Sequence, residues 1–350
     1  MNKKTKNAAG AILATVLAVV QLFGCGGKST VDEAKRFNLL MDPTYATGFE
    51  VDSPGVPVYD DLDKEGFYAY PFSGELDYNK TAKGTGPLWN VAQHSSGYSL
   101  VDPKYRTPAV KDGTYVYSDP AKTLAINPET GAITLAIDGA KEYSSDDDND
   151  GIRDGVNLLP RKGNESWVHL LLTSTLYPKV TFGEIDKIEF EIDMTMNKCD
   201  NVLEERGMAD QFNPGAHAAQ ITMYFMVYSN AAADQGKYFW FGVSMFDARY
   251  ETQKPSAAFD AGSNSMMIGS GTEVILSEPV RIGKKYEIRY DMLADMKKGL
   301  ETCHEYGILT NTTIDDLYLC DFNLGWELPG IYDVSVSFEN FGVYAIYKQN

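Results

Sequence analysis

The segment "TLAINPETGAITLAID" (123–138) restricts the fold more than any other. Apolar residues alternate with polar or small ones on both sides of Asn127-Pro128-Glu129-Thr130-Gly131. In extended backbone such alternation puts one set of side chains on each face, and Pro and Gly supply turn dihedrals. The segment therefore predicts a β-hairpin with one buried face. The same texture recurs in "WVHLLLTS" (167–174), "KIEFEIDMTM" (187–196), "AAQITMYFMVYS" (218–229), "KYFWFGVSMFD" (237–247), "TEVILS" (272–277), "KYEIRYDM" (285–292) and "YDVSVSFENFGVYAIYK" (332–348). These runs are β-branched or aromatic and end at Gly, Pro, Asn or Asp. Met292, Leu293, Met296, Leu300 and Cys303 instead follow a helical spacing, closed by Gly307. Many strands, one helix and no βαβ alternation predict an all-β antiparallel sandwich, a jelly roll with long loops. No repeat or change of composition follows residue 48, which predicts one domain over 46–350.

The first 24 residues have a different character. Lys3, Lys4 and Lys6 precede the apolar run "AAGAILATVLAVVQLF" (8–23), and "LFGC" ends at Cys25. The run falls short of the roughly 20 residues that a membrane span needs. The pattern resembles a bacterial lipoprotein signal, cleaved before a lipidated Cys25. It predicts export, a membrane anchor at Cys25 on the outer membrane or cell surface, and a tether over 25–45. Three cysteines remain, Cys199, Cys303 and Cys320, so at most one bridge forms within the chain, with Cys303 and Cys320 the nearest pair in sequence. No C-x-x-C pair supports structural zinc or thiol redox chemistry.

The net charge of −18 at pH 7 argues against nucleic acid as a partner, because phosphate binding needs a basic face. It is compatible with divalent cations. In "DDDNDGIRDG" (146–155), Asp146, Asp148 and Asp150 alternate, Gly151 follows, and Asp154 completes the set. Hard oxygen ligands at positions 1, 3 and 5, with the Ile152 carbonyl, reproduce the first half of a calcium loop. The pattern resembles thrombospondin type-3 and dockerin-like loops, although Asn157 stands where an EF-hand has its bidentate Glu. The segment 144–158 is thus expected to bind structural calcium; the alternative is a solvated acidic loop.

Four stretches carry a broader resemblance: "LWNVAQHSSG", "LLPRKGNESWVHLLLTS", "KYFWFGVSMFDARYE" and "FNLGWELPGIYDVSVSFENFGVYAI". Together they resemble concanavalin A-like lectin and glucanase jelly rolls of secreted bacterial proteins, including surface lipoproteins of gut Bacteroidetes-type glycan-use systems. The resemblance implies a carbohydrate ligand. Sugar rings stack on aromatic faces while polar neighbours read the hydroxyls. The candidate ligand-binding residues are Trp89, Trp167, His169, Asp247, Arg249, Trp326 and Glu327. Trp326 and Glu327 fall in "LGWELPG", which reads as an exposed loop. Trp167 and His169 share a strand face, as do Asp247 and Arg249. Trp240, inside an all-apolar run, reads as core.

A catalytic alternative rests on "FGEIDKIEFEID" (182–193). Glu184, Asp186 and Glu189 match the E-x-D-x-x-E strand of laminarinase- and lichenase-type hydrolases, which implies nucleophile, helper and acid/base in that order. Retaining hydrolysis needs its two carboxyls about 5–5.5 Å apart. Strict alternation puts Glu184 and Asp186 opposite Glu189, so catalysis here requires a bulge between them. Other nucleophile and nucleotide motifs are missing from the sequence. The reading that results is a non-catalytic carbohydrate-binding surface lipoprotein, with a retaining glycoside hydrolase or lyase, or a structural adhesion component, as alternatives.

Overall fold

Ile188, Phe190, Ile192, Met194 and Met196 fall on one side of their strand, and none is more than 1% exposed. Burying each such side chain contributes roughly 1.5–3 kcal/mol, so this stripe fixes which way the strand faces. The structure is a computed structural model that describes residues 36–55, 72–76, 78, 86–146, 153–163, 165–261 and 263–349. The N-terminal signal and the calcium-loop positions Asp148, Asp150 and Ile152 lie outside the described residues.

In chain order the strands are β1 (Arg36–Asn38), β2 (Phe49–Val51), β3 (Gly74–Leu76), β4 (Trp89–Ala92), β5 (Ala109–Lys111), β6 (Thr114–Ser118), β7 (Lys122–Asn127) and β8 (Ala132–Asp138). There follow β9 (Val168–Thr175), β10 (Ile185–Asn201), β11 (Gln220–Ser229), β12 (Tyr238–Asp247), β13 (Ser256–Asp260), β14 (Ser265–Gly269), β15 (Lys285–Asp291), β16 (Leu317–Leu328) and β17 (Tyr332–Tyr347). They form two sheets. One has eight strands in the order β15-β10-β17-β8-β7-β6-β5, with β1 also paired to β17; the other has nine, β13-β14-β12-β11-β16-β9-β4-β2-β3. Pairing is antiparallel except for β12 with β14 and β2 with β4. The chain passes from one sheet to the other between β1 and β2, β4 and β5, β8 and β9, β9 and β10, β10 and β11, β14 and β15, β15 and β16, and β16 and β17. This gives an all-β antiparallel sandwich of the jelly-roll class.

The expected hairpin is β7–β8. Gly131 adopts φ 73°, and the Asn127 side chain accepts hydrogen bonds from the Glu129 and Thr130 amides. The expected helix is present as Leu293–Glu305, packing Met296, Leu300 and Cys303 inward. One predicted strand is not. Thr272–Ile275, in "TEVILS", forms a single helical turn. Gly271 enters it at φ 78°, and the Thr272 hydroxyl accepts the Gln253 amide, which holds the turn closed. Cys199, Cys303 and Cys320 are free thiols.

Candidate functional site

The two outer faces of the sandwich differ in how their polar groups are satisfied. On the eight-stranded sheet, charges neutralise one another. Arg36 pairs with Glu189 and Glu191 at 3.0 and 2.5 Å, Lys285 with Asp193 and Glu339 at 3.0 and 2.7 Å, and Arg289 with Asp193 at 2.9 Å. The nine-stranded sheet leaves polar groups open.

Cross-strand register defines the rows of this second face, because residues directly opposite share a side of the sheet. Glu327 on β16 lies opposite His169 on β9 and Gln220 on β11, and Gln220 lies opposite Asp247 on β12. The row therefore reads His169–Glu327–Gln220–Asp247 across four adjacent strands. Gln220 Nε2 donates to Asp247 Oδ2 at 2.7 Å. Arg249 closes on the same carboxylate, with Nη2 2.6 Å from Oδ2 and Nε 3.0 Å from Oδ1. A register shift after Ile221 makes the placement of Asp247 possible: Ile221 pairs with Phe246 and Thr222 with Ser244, leaving Met245 as an extra residue. Without that bulge, alternation would turn Asp247 into the core.

Glu327 has a different environment. It makes no hydrogen bond or ion pair among the described residues, and burial alone pushes its carboxyl up to about 7. Burial, followed by the nearby His94, pushes His169 down to about 4. Its Nδ1 lies 2.8 Å from the Trp167 carbonyl, and its ring stacks on Trp167 at 6.2 Å. The row thus holds a neutral imidazole, a carboxyl that keeps its proton to near neutrality, an amide and a neutralised Asp–Arg pair.

Further along the same face are the aromatics. Tyr224 lies opposite Gly242, and a methyl group at 242 would come within 2.7 Å of Tyr224 Cε1, so the ring lies flat over the glycine. Trp240 stands nearly perpendicular to it, 6.3 Å away at 80°, and Tyr238 meets Trp240 at 5.4 Å and 90°. Tyr228 continues the platform, 5.1 Å from Tyr238 and stacked on Tyr318 at 5.8 Å. On the eight-stranded sheet Tyr344 uses the same device over Gly342, but the Arg36 guanidinium covers it at 3.4 Å.

A cavity of about 600 Å³ opens beside this platform, over β2, β4, β9 and β16. Glu50, Asn90, Thr173, Thr175 and Asp321 line it, with Met41, Leu88 and Tyr177 at its apolar side. The Oδ1 atoms of Asn90 and Asn323 are buried without a hydrogen-bond partner. Both belong to one further row, Glu50–Asn90–Thr173–Asn323–Tyr224.

Of the residues singled out from sequence, His169, Glu327 and Asp247 come together in one row, with Arg249 bound to Asp247 and Trp167 stacked on His169. Two do not join them. Trp326 is fully buried rather than on a loop, because β16 runs unbroken through Leu328 and alternation turns Trp326 inward, where Nε1 donates to the Leu135 carbonyl at 3.1 Å. Trp89 is core as well, donating to the Asp42 carbonyl at 2.7 Å. Trp240, expected in the core, belongs to the outer platform. Gln220, Asn90 and Asn323 were missed. Nothing in their local sequence marks them, and only register brings them together.

The stretch 182–193 does contain the bulge that catalysis there required, between Ile185 and Lys187. Two of its three candidate carboxylates are nevertheless committed elsewhere, and the third, Asp186, is exposed. Glu184 closes a 3₁₀ turn, accepting from the Thr181 amide and hydroxyl at 2.8 and 2.7 Å, which lowers its pKa. Glu189 clamps Arg36. Neither faces the open side of the nine-stranded sheet. Among the described residues no group of three His, Cys, Asp or Glu is placed to hold a metal.

No family model matches the chain, and no curated protein matches its sequence. Solved structures similar to it include a thermostable cellulase derived by mutation from a Rhodothermus marinus enzyme, with 9% identity and a TM-score of 0.35 over 67% of this chain and 92% of that one. A family 12 xyloglucanase from Bacillus licheniformis gives 8% and 0.35, over 68% and 96%. The xyloglucanase domain of a Sinorhizobium fredii effector, in complex with cellobiose, gives 8% and 0.32, over 73% and 98%.

Proposed function

We propose that the open face of the nine-stranded sheet binds carbohydrate. The observation that carries this is the pairing, on one face, of a flat and an upright aromatic ring, Tyr224 and Trp240, with a row of polar groups that lack full protein partners. A flat ring stacks on the C–H face of a pyranose, and unpaired side-chain oxygens accept from its hydroxyls. Among the described residues the opposite face, neutralised by its own ion pairs, has no such combination. The test is affinity electrophoresis of the full chain in gels containing polysaccharides. Retardation by at least one glycan, lost in Trp240→Ala with the fold retained, supports the reading; free migration in every gel overturns it.

Glu327 favours a second reading, hydrolysis of the bound glycan. A carboxyl that keeps its proton near pH 7 suits a general acid. Asp247, two strands away in the same row, is the nearest carboxylate in register, but it is held by Arg249, Gln220 and Gln253. Reducing-sugar release that disappears in Glu327→Gln would establish this reading, and binding without release would remove it.

We also propose, from sequence, export and anchoring through Cys25, and structural calcium at Asp146, Asp148, Asp150, the Ile152 carbonyl and Asp154. Labelling with a fatty acid that persists in Cys25→Ala would remove the first proposal. A melting temperature unmoved by chelation would remove the second.

A further inference from the structure

The cavity over β2, β4, β9 and β16 is separate from the row that contains Glu327. His169 and Thr173 are four residues apart on β9, which corresponds to roughly 13 Å along a strand. We infer that this cavity is a second subsite, which rests on the carbohydrate reading and takes a sugar unit with hydroxyl groups and no acidic group. Three observations define its ligand. The buried Asn90 Oδ1 on its wall has no hydrogen-bond partner, and neither has Asn323 Oδ1 in the same row. Both are acceptors, so the missing partner is a donor. Glu50 and Asp321 add carboxylates to the wall, and no Lys or Arg is among the described lining residues. A uronate or sulfate would meet these carboxylates without a compensating cation, whereas sugar hydroxyls donate to them. Finally, Tyr177 and Met41 are 60% and 56% exposed at the cavity, giving an apolar edge for the C–H face of a ring. Asn90 is itself held in place, since its Nδ2 donates to Asp52 Oδ2 at 2.6 Å. The unpaired oxygen is therefore fixed in direction before any ligand arrives.

The experiment compares the full chain with Asn90→Ala, Tyr177→Ala and Trp240→Ala in gels containing a neutral set (hydroxyethylcellulose, galactomannan, starch) or polygalacturonate. Tyr177 is exposed, so its variant is expected to fold, and melting curves check all three. Retardation by a neutral glycan, weakened roughly tenfold in Asn90→Ala and in Tyr177→Ala, supports the inference. Two results overturn it while leaving carbohydrate binding intact: a preference for polygalacturonate, or neutral-glycan binding lost only in Trp240→Ala. Free migration in every gel overturns both the subsite and the carbohydrate reading.

Discussion

Glu327 and Asp247 occupy one transverse row of the nine-stranded sheet, with Gln220 between them, yet only Asp247 is neutralised. Asp247 accepts from Arg249, Gln220 and Gln253, while Glu327 has none of these partners. The row therefore contains one carboxyl that stabilises the fold and one that opposes it. Such asymmetry makes Glu327 the residue of this row to test for function.

The first prediction concerns Glu327→Gln. The folded protein holds the Glu327 proton up to about pH 7, whereas the unfolded chain releases it near the ordinary Glu value. Between those values the folded state binds more protons, so wild-type stability falls as pH rises through the window. His169 acts oppositely: its folded pKa of about 4 lies below its unfolded value, so its contribution is lost as pH falls from about 6.5 to about 4. The two slopes largely cancel between about pH 4.5 and 6.5. Glu327→Gln removes one of them. The variant is expected to gain on the order of 2–3 kcal/mol at pH 8 and almost nothing at pH 4.5. Denaturant titrations across this range check it; an equal effect at both pH values would contradict the burial argument.

A second prediction separates the tryptophans. Trp326→Ala empties a fully buried site and should cost about 3–5 kcal/mol. Trp240→Ala removes a partly exposed ring and should cost about 1 kcal/mol or less, while abolishing retention on the glycan that binds. Melting and gel retardation of the two variants, measured side by side, check the contrast.

These two tryptophans also show how much of the molecule was legible in sequence. Strand texture located the hairpin, the long core strand and the helix, because apolar alternation and turn chemistry are local. The candidate row was partly legible: His169, Asp247, Arg249 and Glu327 stand out as polar groups in apolar runs. Their convergence was not, since it depends on which strands are neighbours. Asp247 faces outward only because Met245 is an extra residue in β12, and no local pattern reveals a register shift. Trp326 was misplaced because Gly325 and Pro329 suggested a loop, whereas pairing with β9 and β11 carries β16 past both Gly325 and Trp326. At Thr272–Ile275, the positive φ of Gly271 outweighed a β-branched run.

A third prediction concerns the hydrolase-like stretch. Glu184→Gln disturbs only the Thr181 turn cap, and Glu189→Gln removes one of two carboxylates around Arg36, with Glu191 remaining. Each should change stability by less than about 1 kcal/mol. Neither should alter glycan retention or any glycan turnover. Loss of turnover in either variant would return catalysis to this stretch.

The last prediction tests the buried end of the sandwich. The Lys122 ammonium is fully buried, 2.8 Å from Asp119 and 3.5 Å from Glu142, and it donates to the Tyr98 carbonyl at 2.8 Å. Burial raises the Asp119 pKa, and Lys122 opposes that rise. Lys122→Met keeps the apolar stem but leaves two buried carboxylates without a cation. Removing one partner of a buried ion pair costs roughly 3–5 kcal/mol, so this variant should be among the least stable. The loss should also depend on pH. Without Lys122 the folded Asp119 retains its proton to a higher pH than in the unfolded chain, so stability falls as pH rises through that interval. Lys122→Met should therefore recover part of its stability when the pH is lowered toward the ordinary carboxylate range. Denaturation midpoints of this variant at pH 5 and pH 8 decide the matter: a deficit that does not shrink at pH 5 would mean that the Tyr98 carbonyl left without its donor, rather than the unpaired carboxylates, causes the damage.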